Sequence, residues 1–68
     1  MITVYVLEEE DAIQIFKTVD GMKKYLEDFW KEEHGTVDIF TCDYMLNIED
    51  PDGNILYTYT YYPHILRD

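Results

Sequence analysis

The sequence predicts an α+β fold in which one helix covers one face of a four-stranded, mostly antiparallel sheet. Alternating apolar residues give way to a helical period and then return, so the predicted element order is β-β-α-β-β. A strong turn signal, DPDGN at residues 50–54, separates the last two strands. With 68 residues, the chain is predicted to form a single domain over 1–68.

The first two strands are predicted to form a hairpin. Residues 2–7, ITVYVL, alternate and are rich in β-branched side chains, which is typical of a strand. Residues 12–17, AIQIFK, alternate again. The intervening EEED at residues 8–11 is too charged for a core strand, so we expect it at the hairpin tip.

The helix is predicted to begin after Thr18, whose hydroxyl can accept a hydrogen bond from a free backbone amide. Gly35 is predicted to end it, because glycine adopts the left-handed conformation that often follows a helix. Apolar residues at helical spacing form the stripe expected to face the sheet. This stripe consists of Val19, Met22, Tyr25, Leu26, Phe29 and Trp30.

The second hairpin is predicted from a long strand at residues 36–49, a type I turn with a G1 bulge, and a last strand beginning near residue 55. The alternation of apolar residues changes parity near Ile39, which suggests a bulge or a break in the long strand. Asp50 would pair with Asn54, and counting outward then places Ile48 opposite Leu56. Alternation assigns one set of side chains to the covered face. That set is Phe40, Cys42, Tyr44, Leu46, Ile48 and Leu56. The set expected on the open face is Asp43, Met45, Asn47, Glu49, Ile55, Tyr57, Tyr59 and Tyr61.

Charge limits the candidate partners. The chain has 15 acidic against 5 basic residues, a net charge of −10. Direct binding to nucleic acid or to an anionic membrane is not expected, because both surfaces require cationic partners. A basic or nucleic-acid-binding protein is the natural complement. Solubility and adaptation to high salt are alternative reasons for the same composition.

A cytoplasmic location is expected, since the start of the chain lacks the pattern of a secretion signal and no apolar run reaches about 20 residues. Enzymatic activity is not expected. The chain has no serine, and strand alternation places Cys42 inward, away from His34 or His64. Asp50, Asp52 and Asn54 imitate the start of a calcium loop, but the glycine is misplaced. No cofactor and no metal is therefore expected.

Binding through the surface is the function that these features favour. In size and charge the chain resembles small acidic phage-encoded inhibitors of host enzymes, including DNA-mimic and anti-CRISPR proteins. The resemblance covers composition alone and implies a protein that blocks a nucleic-acid-binding partner. The alternative is an assembly module that forms a homodimer through its tyrosine-rich sheet face.

The predicted footprint combines carboxylates for attraction and orientation with tyrosines as apolar anchors. Its carboxylates are Glu8, Glu9, Glu10, Asp11, Glu27, Asp28, Glu32, Glu33, Asp43, Glu49, Asp50 and Asp52. Its anchors are Tyr57, Tyr59 and Tyr61.

Overall fold

The computed structural model describes residues 1–67, which form one helix and a five-stranded antiparallel sheet. The predicted α+β class is confirmed, and the sheet has one strand more than predicted. The elements in chain order are β1 Ile2–Glu8, β2 Ile13–Phe16, α1 Val19–His34, β3 Asp38–Cys42, β4 Met45–Glu49 and β5 Ile55–Leu66. The spatial order is β2-β1-β5-β4-β3.

The additional strand arises because the segment expected as one long strand turns back on itself. Asp43 and Tyr44 both have positive φ, at 46° and 66°, and Cys42 pairs directly with Met45. Two residues of positive φ form the turn that matches the twist of a tight hairpin. The change of alternation within residues 36–49 therefore comes from a tight hairpin at Asp43 and Tyr44. The prediction of a bulge or break near Ile39 is wrong.

The helix is confirmed at both ends. The Thr18 hydroxyl accepts a hydrogen bond from the Gly21 amide at 3.0 Å. Gly35 has φ of 80°, and its amide donates to the Lys31 carbonyl at 3.0 Å. Met22 and Leu26 of the predicted stripe are buried, whereas Phe29 is 49% exposed. Among the described residues, none forms a helix with the length and apolar character needed to cross a bilayer.

The core lies between α1 and the sheet. It contains Leu7, Met22, Leu26, Val37, Leu46, Ile48 and Tyr59. Leu7 comes from β1, Leu46 and Ile48 from β4, and Tyr59 from β5, so three adjacent strands contribute to it. Partly buried aromatic side chains, including Trp30 and Phe16, pack around its margin.

A bulge overturns the predicted register of the second hairpin. The turn itself is as expected, since the Asp50 amide donates to the Asn54 carbonyl at 3.0 Å. The pairing then shifts between Ile48 and Glu49: Glu49 pairs with Ile55, but Ile48 pairs with Tyr57. One extra residue, Leu56, moves every later side chain of β5 to the other face.

The prediction that the three tyrosines lie on the sheet face away from the helix is therefore wrong. Tyr57, Tyr59 and Tyr61 lie on the helix side, where Tyr59 is only 7% exposed and Tyr61 is partly buried. Tyr57 remains 41% exposed at the margin of α1.

The predicted set of side chains on the sheet face beneath the helix is also partly wrong. Leu46 and Ile48 are buried as expected. Four other residues expected beneath the helix are exposed, because the Asp43–Tyr44 turn and the bulge displace them. They are Phe40, Cys42, Tyr44 and Leu56.

The long strand β5 joins two offset parts of the sheet. Its residues 60–66 pair with β1, and its residues 55–60 pair with β4, so the two neighbours overlap only at Thr60. The molecule is consequently elongated, with extents of 44 × 22 × 21 Å.

Pro63 lies in the part of β5 that extends past β4. Two residues earlier, the Tyr61 amide donates to the Tyr44 carbonyl at 2.9 Å, on the β4 side of the strand. Because backbone amides alternate sides along a strand, position 63 faces that same side. Its missing N–H therefore costs no hydrogen bond to β1, which pairs through Tyr5.

Candidate functional site

A cavity of about 330 Å³ opens between the first hairpin tip, the C-terminal half of α1 and the start of β5. Carboxylates form one side of it and aromatic rings the other. Its lining residues are Glu9, Glu10, Asp11, Ala12, Trp30, Tyr57 and Tyr59. We call this set the acidic aromatic pocket.

Two hydrogen bonds shape the hairpin tip, and one of them ties it to the helix. The Glu9 amide donates to the Ala12 carbonyl at 2.8 Å, which closes the turn. The Tyr25 hydroxyl of α1 donates to Glu9 Oε1 at 3.2 Å. Glu9 is thereby fixed, whereas Glu10 and Asp11 are exposed beside it.

The aromatic side is a connected cluster. Trp30 Nε1 donates to the Tyr59 hydroxyl at 3.1 Å. The Tyr57 ring lies 4.6 Å from the Tyr59 ring and 6.1 Å from the Trp30 ring, between centroids. His34 stacks on Trp30 at 4.9 Å and 26°. This packing restrains the indole, so little side-chain entropy remains to be lost when a ligand binds.

Burial and the nearby Glu9 carboxylate raise the pKa of two tyrosine hydroxyls. Desolvation raises the pKa of Tyr25, and its hydrogen bond to Glu9 and the charge of Glu9 raise it further. Desolvation also raises the pKa of Tyr59, and the Glu9 charge adds to this effect, while the hydrogen bond from Trp30 opposes it. Both tyrosines therefore remain neutral hydrogen-bonding groups at neutral pH.

The arrangement is suited to a cation. Indole and phenol rings attract cations to their faces, with Trp the strongest, and the effect grows as water is excluded. Among residues 1–67, no lysine or arginine lines the pocket. The C-terminal end of α1 adds partial negative charge from its free carbonyls.

The structure brings together five of the predicted footprint residues. Glu9, Glu10, Asp11, Tyr57 and Tyr59 line the pocket, and Tyr59 serves as a buried wall, which corrects its expected role as an open anchor. The remaining footprint residues lie outside it. They are Glu8 at the end of β1; Glu27, Asp28, Glu32 and Glu33 on α1; Asp43, Glu49, Asp50 and Asp52 in β4 and its flanking turns; and Tyr61 beside the core.

Trp30 is the site residue that sequence reasoning missed. Its place in the apolar helical stripe predicted a core side chain, yet it is only partly buried and forms a wall of the pocket. The signal was its position in the last turns of α1, beyond the buried residues Met22 and Leu26.

The Asp50 carboxylate, which imitates a calcium ligand in the sequence, accepts hydrogen bonds from backbone amides of its own turn. Asp50 Oδ1 accepts hydrogen bonds from the amides of Asp52 at 3.0 Å and Asn54 at 2.9 Å. These bonds hold the pKa of Asp50 below its usual value, and the bond from the Asn54 amide contributes most. Within residues 1–67, no group of three or more potential metal ligands is found.

Comparisons with known proteins found no protein-family model, no curated protein and no solved structure that matches this chain.

Proposed function

We propose that this protein is a small acidic interaction module that binds a basic, nucleic-acid-binding protein and blocks its charged surface. The acidic aromatic pocket would receive one arginine or lysine side chain of that partner. The observation that carries the proposal is the joining of Glu10 and Asp11 with the restrained indole of Trp30 in one cavity.

The size and chemistry of the cavity support a single basic side chain as the occupant. A volume of about 330 Å³ lies at the lower end of the range for small-ligand sites, which is about 300–1,000 Å³. An arginine is favoured over a lysine, because its planar guanidinium can stack on Trp30 while its N–H groups pair with a carboxylate.

The surrounding carboxylates would set the rate and orientation of the encounter. At a net charge of −10, the chain attracts a cationic surface over a distance of about one Debye length, roughly 8 Å at physiological salt. Exposed charges contribute mainly to association rate and specificity, while aromatic contacts contribute most of the affinity. Glu27, Asp28, Glu32 and Glu33 would then act as the outer, steering part of the footprint.

The test is affinity capture of partners from a lysate of the native host, using the tagged chain and elution with a salt gradient. A basic nucleic-acid-binding protein should be retained, and added DNA should displace it. Replacing Glu10→Gln together with Asp11→Asn should move elution to lower salt. Trp30→Ala should reduce retention even at low salt, because it removes the cation-binding ring.

A matched control is available on the same chain. Asp20→Asn with Asp38→Asn removes the same charge from positions outside the pocket and outside the footprint. If this control and the Glu10–Asp11 variant elute at the same salt concentration, net charge alone governs binding and the pocket has no part in it. Failure to retain any basic protein would overturn the proposed function itself.

A further inference from the structure

β3 forms one edge of the sheet, and its outer side has no partner strand. It pairs only with β4, and four of its five residues are exposed. Outside that ladder, no backbone hydrogen bond within residues 1–67 reaches β3. Unpaired N–H and C=O groups along such an edge can form a ladder with another extended chain. The outer side of β3 is therefore a template for strand addition.

One hydrogen bond on the other side of β4 shows which backbone groups of β3 are free. The Tyr61 amide of β5 donates to the Tyr44 carbonyl, so the Tyr44 backbone faces β5. Backbone groups alternate sides along a strand, so the residue after Tyr44 faces β3, where it pairs with Cys42. Every second residue of β3, counted back from Cys42, then faces β4. The residues between them, Ile39 and Thr41, direct their N–H and C=O groups away from the sheet.

The other exposed edges of this sheet are protected against strand addition. β2, at the opposite edge, has only four residues. The part of β5 that extends past β4 contains Pro63, which has no amide to donate. Short strands and proline are two of the devices that block edge pairing. β3 has five residues without proline or lysine and pairs with β4 in an unshifted register, so its edge is the least protected of the three.

Charge at the start of β3 indicates which kind of segment fits this edge. Asp38 pairs directly with Glu49 across the ladder to β4. Like charges placed opposite each other in a sheet destabilise it. The ion pair found within residues 1–67 joins Lys24 to Asp28, so neither carboxylate of the β3–β4 pair has a basic partner there. An arginine or lysine placed beside Asp38 by an added strand would relieve this repulsion.

The strand period specifies what lies two residues further along. Side chains two positions apart share a face, so Phe40 lies on the same face as Asp38, and it is 52% exposed. An added strand with a basic residue opposite Asp38 would place an apolar residue opposite Phe40. We propose that the outer edge of β3 binds an extended segment of another protein, in which a basic and an apolar residue stand two positions apart. The free backbone groups of Ile39 and Thr41 would form the ladder.

This contact is separate from the acidic aromatic pocket, and charge disfavours a second copy of the chain as its occupant. No residue of β3 lines the pocket. Pairing two copies through β3 would bring two Asp38–Glu49 pairs, and two chains of net charge −10, to one edge. A segment that carries a basic residue lowers the repulsion instead.

Amide hydrogen exchange followed by NMR on the full chain tests the proposal. The probe is a threonine-rich peptide of roughly six residues, a typical strand length, with one arginine and a leucine two positions later. With saturating peptide, the amides of Ile39 and Thr41 should exchange at least about tenfold more slowly, because they become hydrogen-bond donors. The amide of Ile15, on β2 at the opposite edge, should keep its rate.

Two sets of variants separate the backbone contribution from the charge contribution. Thr41→Pro removes an outward amide without removing a bond to β4, so it should weaken peptide binding about tenfold or more. Ile15→Pro is the matched control in the other edge strand and should leave binding unchanged. Replacing the peptide arginine with glutamate should weaken binding about fivefold. Asp38→Asn combined with Glu49→Gln should abolish that preference.

Several results would contradict the proposal. Unchanged exchange at Ile39 and Thr41 overturns the edge site, and equal binding of the arginine and glutamate peptides overturns the basic segment as its occupant. Slow exchange at these amides without peptide, increasing with protein concentration, would assign the edge to a second copy. The wild-type exchange result decides the question even if Thr41→Pro fails to fold. None of these results depends on the capture of a basic partner through the pocket.

Discussion

The indole N–H of Trp30 donates a 3.1 Å hydrogen bond to the Tyr59 hydroxyl and so joins the end of α1 to the centre of β5. The two residues are 29 positions apart in the chain. Their contact forms one wall of the acidic aromatic pocket and also limits how far the helix can move from the sheet. The geometry of the pocket and the stability of the fold are therefore linked at this pair.

A double-mutant cycle should reveal this coupling. Trp30→Phe and Tyr59→Phe each remove one partner of the bond while keeping an aromatic ring. We expect a coupling energy of about 0.5–1.5 kcal/mol between the two changes, the usual net contribution of one hydrogen bond. Urea unfolding of the four proteins measures it. Strictly additive costs would show that the bond does not contribute to stability.

Leu26→Ala should be the more damaging of two substitutions one turn apart. Leu26 is fully buried in the core, and truncation of such a leucine costs about 2–5 kcal/mol. The whole domain is expected to be stable by only roughly 3–10 kcal/mol, given its length. Phe29→Ala is the control, with an expected cost below about 1 kcal/mol, because Phe29 is half exposed. Thermal denaturation followed by circular dichroism should separate the two; similar melting temperatures would contradict the assigned core.

Deleting Leu56 should be tolerated, whereas deleting Thr60 should not. Leu56 is the extra residue of the bulge, so its loss leaves Ile48 opposite Tyr57 and Tyr59 inside. Thr60 lies between Tyr59 and Tyr61, so its loss moves one of these two tyrosines to the face away from the helix, whichever part of β5 keeps its pairing. Tryptophan fluorescence and urea unfolding should show a native state for the first variant and a strongly destabilised one for the second. The reverse order would contradict the observed register.

This bulge marks the limit of what the sequence could predict about the fold. The Thr18 and Gly35 helix ends and the turn at Asp50 follow from local chemistry, and all three were predictable. The insertion of Leu56 depends on burying Tyr59 against Leu46, a gain that arises only in the assembled core. Alternation determines which residues share a face, but not which face meets the helix.

The stability contributed by Asp50 should decrease in acid. Backbone hydrogen bonds lower its pKa in the folded state, so its contribution is present above the unfolded pKa, near 4, and is lost as pH falls through the lower folded value. Protonation of other carboxylates relieves self-repulsion at the same time. The difference between variants is therefore the quantity to measure.

Asp50→Ala should lower the free energy of unfolding at neutral pH, and the gap to the wild type should shrink toward low pH. Asp52→Ala provides the comparison, because the Asp52 carboxylate makes no side-chain hydrogen bond within residues 1–67. Denaturant unfolding at a series of pH values gives both curves. A gap that stays constant with pH would show that the Asp50 carboxylate is not the source.

The candidate site was less predictable than the fold. The acidic tip at residues 8–11 was recognised from its composition, as was the presence of tyrosines in β5. These two groups contact Trp30 in one pocket only because the helix crosses the sheet with its last turns near the hairpin tip. No local sequence pattern specifies that crossing.

Pro63 limits the addition of a further strand at the exposed edge of β5. A chain added along the exposed side of β5 would meet a position with no amide to donate, and the growing ladder would lose a bond at its middle. Strand addition is thereby discouraged along the stretch that carries the exposed side chains of Ile65 and Leu66. The apolar side chains at this end of β5 are therefore exposed beside a strand edge that cannot offer a complete set of hydrogen bonds.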